Sequence, residues 1–219
     1  MIRVLVVDDQ PLARAGISAL VEAEPDLEVV GAAADGMEAL RLVSELRPDV
    51  ICLDIRMPLM DGIQVANRIA ELDGPRPAIL ILTTFDIDDY VFRALEAGVA
   101  GFLLKDSEPD ELVRAIRSIA DGHGTLDRTL TRRIVDEYVH RRRLQPLDAT
   151  AALKILTPRE RDILLLLAQG MSNDEIAGTL VIEVATVKSH MARLLPKLGV
   201  RSRLQAVAWA YQNKVIAPS

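Results

Sequence analysis

The sequence predicts an α/β unit built on a doubly wound, five-stranded parallel sheet, followed by a small all-α domain of four helices. Three observations carry this expectation. The chain has 219 residues, too many for one typical domain and few for three. Short apolar runs alternate with helical patterns through residues 1–122, whereas the segments after Leu156 all have helical period and helical caps. The charge also divides. Residues 1–122 hold 11 Lys+Arg and 23 Asp+Glu, a net −12, and residues 123–219 hold 15 and 9, a net +6, so the overall −6 conceals two opposite signs. With 50% hydrophobic and 26% charged residues, the chain has the balance of a globular protein with a buried core, and whole-chain disorder is excluded.

The strands are expected at Ile2–Val7, Glu28–Ala33, Val50–Leu53, Ala78–Leu82 and Gly101–Leu104. Helices are expected at Pro11–Ala23, Met37–Leu46, Ile63–Leu72, Asp88–Ala97 and Glu108–Ala120. Strands apolar on both faces, separated by helices long enough to cross over, indicate a parallel sheet covered on both sides. In such folds ligands bind outside the carboxyl ends of the strands, where the strand order reverses. There the first strand ends in Asp8-Asp9, the third in Asp54 and the fourth in Thr83, while the fifth runs through Phe102 to Lys105. Three carboxylates converging in one crevice repel one another, and a hard divalent cation such as Mg²⁺ relieves that repulsion.

These residues carry a resemblance. Asp8-Asp9, the stretch Asp54-Ile55-Arg56-Met57-Pro58-Leu59-Met60-Asp61-Gly62, Thr83, and Phe102-Leu103-Leu104-Lys105 resemble a response-regulator receiver domain, a flavodoxin-like fold, over residues 1–122. The resemblance implies that Asp54 accepts a phosphoryl group from a histidine kinase. It further implies that Asp9, Asp54 and the backbone carbonyl of Arg56 hold Mg²⁺, with Asp8 assisting at one remove. Lys105 would pair with a phosphoryl oxygen, Thr83 would donate its hydroxyl to another, and Phe102 would change rotamer as Thr83 moves. One departure is Lys105-Asp106, where many receivers have proline after the lysine.

Residues 123–152 read as a linker. Thr125 to His140 has the pattern of a polar helix with a weak apolar stripe at Leu130, Ile134 and Val135, and Gln145 to Thr150 reads as a tether. The triplet Arg141-Arg142-Arg143 suits a solvated helix end.

The third segment, residues 153–219, is closely punctuated. Thr157-Pro158-Arg159-Glu160 and Ser172-Asn173-Asp174-Glu175 each form a capping box that opens a helix. A brief turn at Val181-Ile182-Glu183 precedes a helix over Val184–Leu198, closed by Gly199, and Ser202-x-x-Gln205 opens the last helix. Two helices joined by a tight turn fit a helix-turn-helix. With Val187, Met191, Leu194 and Leu195 facing inward, the 184–198 helix presents Lys188, Ser189, Ala192 and Arg193 on its other side, as a major-groove reader would. Leu156 to Glu160, Asn173 to Ala177, Thr186 to His190 and Lys197 to Val200 resemble the LuxR-type DNA-binding domain, and the whole chain a response regulator of the NarL/FixJ type. The resemblance implies base or groove contacts from Lys188, Ser189 and Ala192, backbone contacts from Thr186, His190 and Arg193, and dimer contacts along the final helix. Two positions depart from it: Glu183 stands where a capping Ser is usual, and Pro196 lies inside the helix, where it is expected to kink the last turn.

The leading expectation is therefore a cytoplasmic, phosphorylation-gated transcription regulator that is not an enzyme. Its expected partners are a histidine kinase, double-stranded promoter DNA and, when phosphorylated, a second copy, with no membrane association. A phosphohydrolase is the competing class, but the acid it needs two residues after Asp54 is replaced by Arg56. A third reading keeps the receiver and gives up DNA binding, and Glu183 and Pro196 lean that way. The single Cys52 cannot form an internal disulfide, and the longest apolar stretches, such as Ile163–Ala168, are far shorter than the ~20 residues that span a bilayer.

Overall fold

The computed structural model describes residues 1–72, 74–83, 93–94, 96–122, 154–200, 202–213 and 215, with side chains at all of these except 211 and 212. It divides into two compact units, Met1–Thr125 and Leu126–Ser219, each taken by itself below. The expected helix over Asp88–Ala97 lies mostly outside the described residues, and the expected linker segment lies outside them up to residue 153.

The first unit runs β1 (Ile2–Val7), α1 (Pro11–Glu22), β2 (Leu27–Ala33), α2 (Gly36–Leu46), β3 (Val50–Asp54), α3 (Gly62–Ala70), β4 (Ala78–Thr83), β5 (Gly101–Leu104) and α4 (Pro109–Ala120). The five strands form one parallel sheet in the order β2-β1-β3-β4-β5, as expected for a doubly wound fold. Alternation sends Val4, Val6, Cys52, Leu80, Leu82 and Leu103 to one face, where Leu112, Val113 and Ile116 of α4 and Val21 of α1 cover them. Leu5, Ile51, Leu53, Ile81 and Phe102 are buried on the other face. After β1 the chain moves out to β2 and then returns to the opposite side of β1 as β3, so the order reverses between β1 and β3. Val7 pairs with Leu53 in the ladder, which sets Asp8 beside Asp54 at that reversal.

The loop from β3 to α3 approaches the sheet closely. The Gly62 amide donates to the Ile55 carbonyl at 2.9 Å, and a Cβ at Gly62 would lie 2.2 Å from the Asp54 carbonyl oxygen. Asp61 and Gln64 then start α3 with a reciprocal capping box.

The second unit contains α5 (Pro158–Ala168), α6 (Asn173–Leu180), α7 (Val184–Leu198) and α8 (Arg203–Gln212). Both expected capping boxes form: Thr157 with Glu160, and Ser172 with Glu175. Val181 closes α6 in a left-handed conformation, φ 52°, which turns the chain so that the Ile182 amide bonds back to Ala177 and its side chain packs on the core. The helix α7 continues through Pro196 to Leu198, with Pro196 exposed. Its inward side places Val187, Met191, Leu194 and Leu198 against Ile163, Leu164 and Leu167 of α5 and Ile176 of α6.

One ion pair ties α7 to α5. Glu160, only 2% exposed, accepts from the Thr157 amide at 2.8 Å and meets Lys197 Nζ at 2.7 Å through both carboxylate oxygens. Burial pushes the Glu160 carboxyl up, but Lys197 and Thr157 outweigh it and hold the group below its ordinary value.

Two outcomes follow from these contacts. Gly62→Ala should lower the stability of the first unit by about 2–4 kcal/mol, because the backbone beside Asp54 must shift; an unchanged urea midpoint by far-UV circular dichroism would contradict the close approach. A carboxyl whose folded pKa is depressed contributes stability that is present above its unfolded value of about 4.5 and is lost as pH falls through the folded value. Glu160→Gln should therefore weaken the second unit by about 1–3 kcal/mol at pH 7, discounted for the partly exposed Lys197, and flatten its stability loss on acidification below about pH 5. The single tryptophan, Trp209 on α8, reports this unfolding by fluorescence in the intact chain.

Candidate functional site

Asp8 and Asp9 follow β1 directly, Asp54 is the last residue of β3, and Lys105 follows β5. One oxygen from each of the three aspartates lies within 4.8 Å of the others. Lys105 Nζ bridges the group, 3.0 Å from Asp54 Oδ1 and 2.7 Å from Asp8 Oδ2, with its side chain only 14% exposed. Asp8 Oδ2 and Asp9 Oδ1 are both buried, and apart from the Lys105 ammonium beside Asp8 Oδ2 neither has a partner among the described residues. Asp8 Oδ1 accepts from the Gln10 amide at 2.9 Å. Asp9 does not cap α1, whose N-cap is Gln10, with Pro11 opening the first turn.

Burial pushes the Asp54 carboxyl above its ordinary value; Lys105 works against this, and Asp8 adds to it. Burial alone would lower Lys105, but Asp8 and Asp54 overcome it and raise the ammonium above its usual range. Three carboxyl groups thus crowd together around one buried ammonium that meets only Asp8 and Asp54, and Asp9 Oδ1 lacks a donor. That donor set is what a small, hard, oxygen-seeking cation satisfies, so the residues fit Mg²⁺.

The remaining expected residues flank this centre. Thr83 ends β4, half-buried, and its carbonyl accepts from the Lys105 amide at 2.9 Å, which holds the two strand ends together. Arg56, exposed, lies in the loop after Asp54. Phe102 is 1% exposed and pairs with Ile81 in the ladder, inside the core and behind the site. No peptide bond among the described residues is cis, so Lys105-Asp106 takes the ordinary trans form. Sequence reasoning missed Arg14, whose Nη1 donates to the Asp8 carbonyl at 2.5 Å. The signal was present, since Pro11 fixes the start of α1 and a side chain one turn in reaches back over the preceding strand end.

In the second unit, α7 exposes Lys188, Ser189, Ala192 and Arg193 opposite its buried side, with Thr186 and His190 half-buried at the edges. Ser189 Oγ donates to the Ala185 carbonyl at 3.0 Å. Glu183 is the N-cap residue and makes no side-chain cap bond, as expected for glutamate there.

Among the described residues, no helix is long and apolar enough to cross a membrane. Residues 4–117 match the response regulator receiver domain family, and residues 154–210 match the bacterial regulatory proteins of the luxR family. The chain is 41% identical to the transcriptional regulatory protein LiaR of Bacillus subtilis (strain 168) over 219 residues, covering 99% of this chain and 100% of that one. It is 37% identical to the oxygen regulatory protein NreC of Staphylococcus aureus (strain JH9) over 98% of this chain and 99% of that one. Among solved structures it resembles the response regulator ChrA of a heme-sensing two-component system, with a TM-score of 0.54 and 35% identity over 98% of each chain. Since both halves are matched and full-length relatives align end to end, the chain belongs to the NarL/FixJ-type response regulators, two-component transcription regulators that join a receiver to a LuxR-type DNA-binding domain.

Proposed function

We propose that Asp54 is the phosphoacceptor of this receiver and that its phosphorylation by a histidine kinase promotes promoter binding by a dimer through α7. The convergence of Asp8, Asp9, Asp54 and Lys105 carries this reading. In the transfer, a carboxylate oxygen of Asp54 forms a bond to phosphorus as the P–N bond to the donor histidine breaks, and the leaving imidazole keeps the electron pair. Such a transition state is loose and spreads charge over the equatorial oxygens, so positioning and positive charge matter more than a strong base. Lys105 supplies one such charge. Asp9, Asp54 and the Arg56 carbonyl would hold Mg²⁺, with Asp8 behind them, and there it would supply positive charge for the phosphoryl oxygens and relieve repulsion among the acids.

The acyl phosphate carries roughly −1.5 to −2 charges and three acceptor oxygens, enough to draw the Thr83 hydroxyl and Lys105 towards it. Thr83 and Lys105 already share a backbone hydrogen bond, so movement at either is felt by β4 and β5, with Phe102 lying along the same strand as Lys105's approach. The result is a population shift towards a dimer able to occupy two half-sites about one helical turn apart.

On DNA, Lys188, Ser189 and Ala192 are proposed to face base edges, and Thr186, His190 and Arg193 the phosphate backbone. Ala192 offers only apolar contact or shape reading. A DNA-binding partner of a kinase works in the cytoplasm, which a single buried cysteine suits. A phosphohydrolase role lacks its second acid, since Arg56 stands two residues after Asp54.

Asp54→Ala should abolish phosphoryl uptake from a small phosphodonor with Mg²⁺, read by intact mass; undiminished labelling would refute the assignment. Lys188→Ala should weaken specific binding roughly 5- to 100-fold in a gel-shift titration, and reduce the salt slope by about 1 if the ammonium meets a phosphate or relax specificity if it meets a base. Unchanged affinity, slope and specificity would remove Lys188 from the interface.

A further inference from the structure

Asp9 is the least constrained member of the carboxylate centre. It caps no helix, and its Oδ1 has no hydrogen-bond partner. Its direction is therefore set through the backbone, by the peptide plane that joins it to Asp8. That plane lies one residue past the last β1 ladder pairs, Val7 with Ala33 and with Leu53. Arg14 reaches back from α1 and donates Nη1 to the carbonyl oxygen of this plane, at 2.5 Å. The other groups of Asp8 are fixed as well: its amide donates to Ala33 at 3.2 Å and Oδ1 accepts from Gln10 at 2.9 Å.

From this we infer that Arg14 is a positioning residue for the cation of the phosphoryl-transfer site, locking the Asp8–Asp9 peptide so that the Asp9 carboxylate is held ready beside Asp54. This rests on the reading of Asp8, Asp9 and Asp54 as the Mg²⁺ site. The guanidinium touches neither a metal ligand atom nor the phosphoryl group; it acts through the peptide. Two effects of the side chain oppose each other. Its permanent positive charge beside the acids disfavours a second cation, whereas its clamp removes the freedom that Asp9 would otherwise lose on binding one. Charge alone predicts that removing Arg14 tightens Mg²⁺; the clamp predicts that removal weakens it.

The test is calorimetric titration of MgCl₂ into the full-length, unphosphorylated protein at pH 7, for the wild type, Arg14→Met, Arg14→Lys and Asp9→Asn. Arg14→Met should raise the Mg²⁺ Kd about 3- to 10-fold, and Arg14→Lys, which keeps the charge and can still offer one donor, about 2- to 3-fold. The rate of Asp54 labelling at saturating Mg²⁺ should stay within about two-fold of wild type in both, since excess cation overcomes a positioning loss. An unchanged or tighter Kd in Arg14→Met, with Asp9→Asn weakened, would overturn the role of Arg14 and leave the carboxylate site standing. If Arg14→Met does not fold, Arg14→Lys decides alone, and wild-type affinity in it would overturn the proposal. Failure of the wild type to bind Mg²⁺, or wild-type affinity in Asp9→Asn, would overturn the carboxylate reading and this inference together.

Discussion

Carboxylates crowded at the open end of a parallel sheet are the constraint around which the first unit is arranged. The reversal of strand order between β1 and β3 makes the crevice, and the Val7–Leu53 register brings Asp8 alongside Asp54. A buried ammonium from the far side of the sheet bridges the two acids. Burial and the neighbouring Asp8 push the Asp54 carboxyl above its ordinary value, and this ammonium works against both. Asp9 Oδ1 still lacks a donor, and acids crowded beside a fixed ammonium are the arrangement proposed to take up Mg²⁺ and a phosphoryl group. The apolar strands on both faces matter to function because they fix these few polar ends in register.

The second unit solves a different problem with a similar device. The helix proposed to read DNA, α7, must be held by its buried side while its other side stays exposed. The apolar residues Val187, Met191, Leu194 and Leu198 give that hold without direction, and the Glu160–Lys197 pair adds a directional contact near the end of α7. Lys197 follows Pro196, where the helix has lost one backbone donor, so the ion pair anchors the turn that proline weakens. The departure seen at Pro196 is thereby compatible with a continuous helix from Val184 to Leu198.

Much of this was legible in the sequence because it is local. Strands that are apolar throughout end where the acids begin, and the capping boxes at Thr157 and Ser172 mark helix starts to the residue. What was not legible depends on which groups meet only once the chain has folded. Glu160 reads locally as the third residue of a capping box, and it is one, but the same carboxylate also meets Lys197, 37 residues away. Gly62 reads as a turn glycine, and only the folded loop shows the Asp54 carbonyl where its Cβ would stand. Pro11 places Arg14 one turn into α1, but only the fold shows its side chain bonded to the Asp8 carbonyl. Periodicity finds elements and strand ends, but it does not show which long side chain folds back on which carbonyl.

Chemistry at Asp54 in one unit is proposed to set DNA binding by the other. The most direct measurement compares the affinity of the full chain, before and after loading with a small phosphodonor and Mg²⁺, for a DNA duplex that the protein has itself selected from a random pool. Binding should be at least about tenfold tighter after loading, with a steeper dependence on protein concentration as dimers form. Equal affinity and equal steepness in the two states, with Asp54 fully phosphorylated by mass, would contradict it.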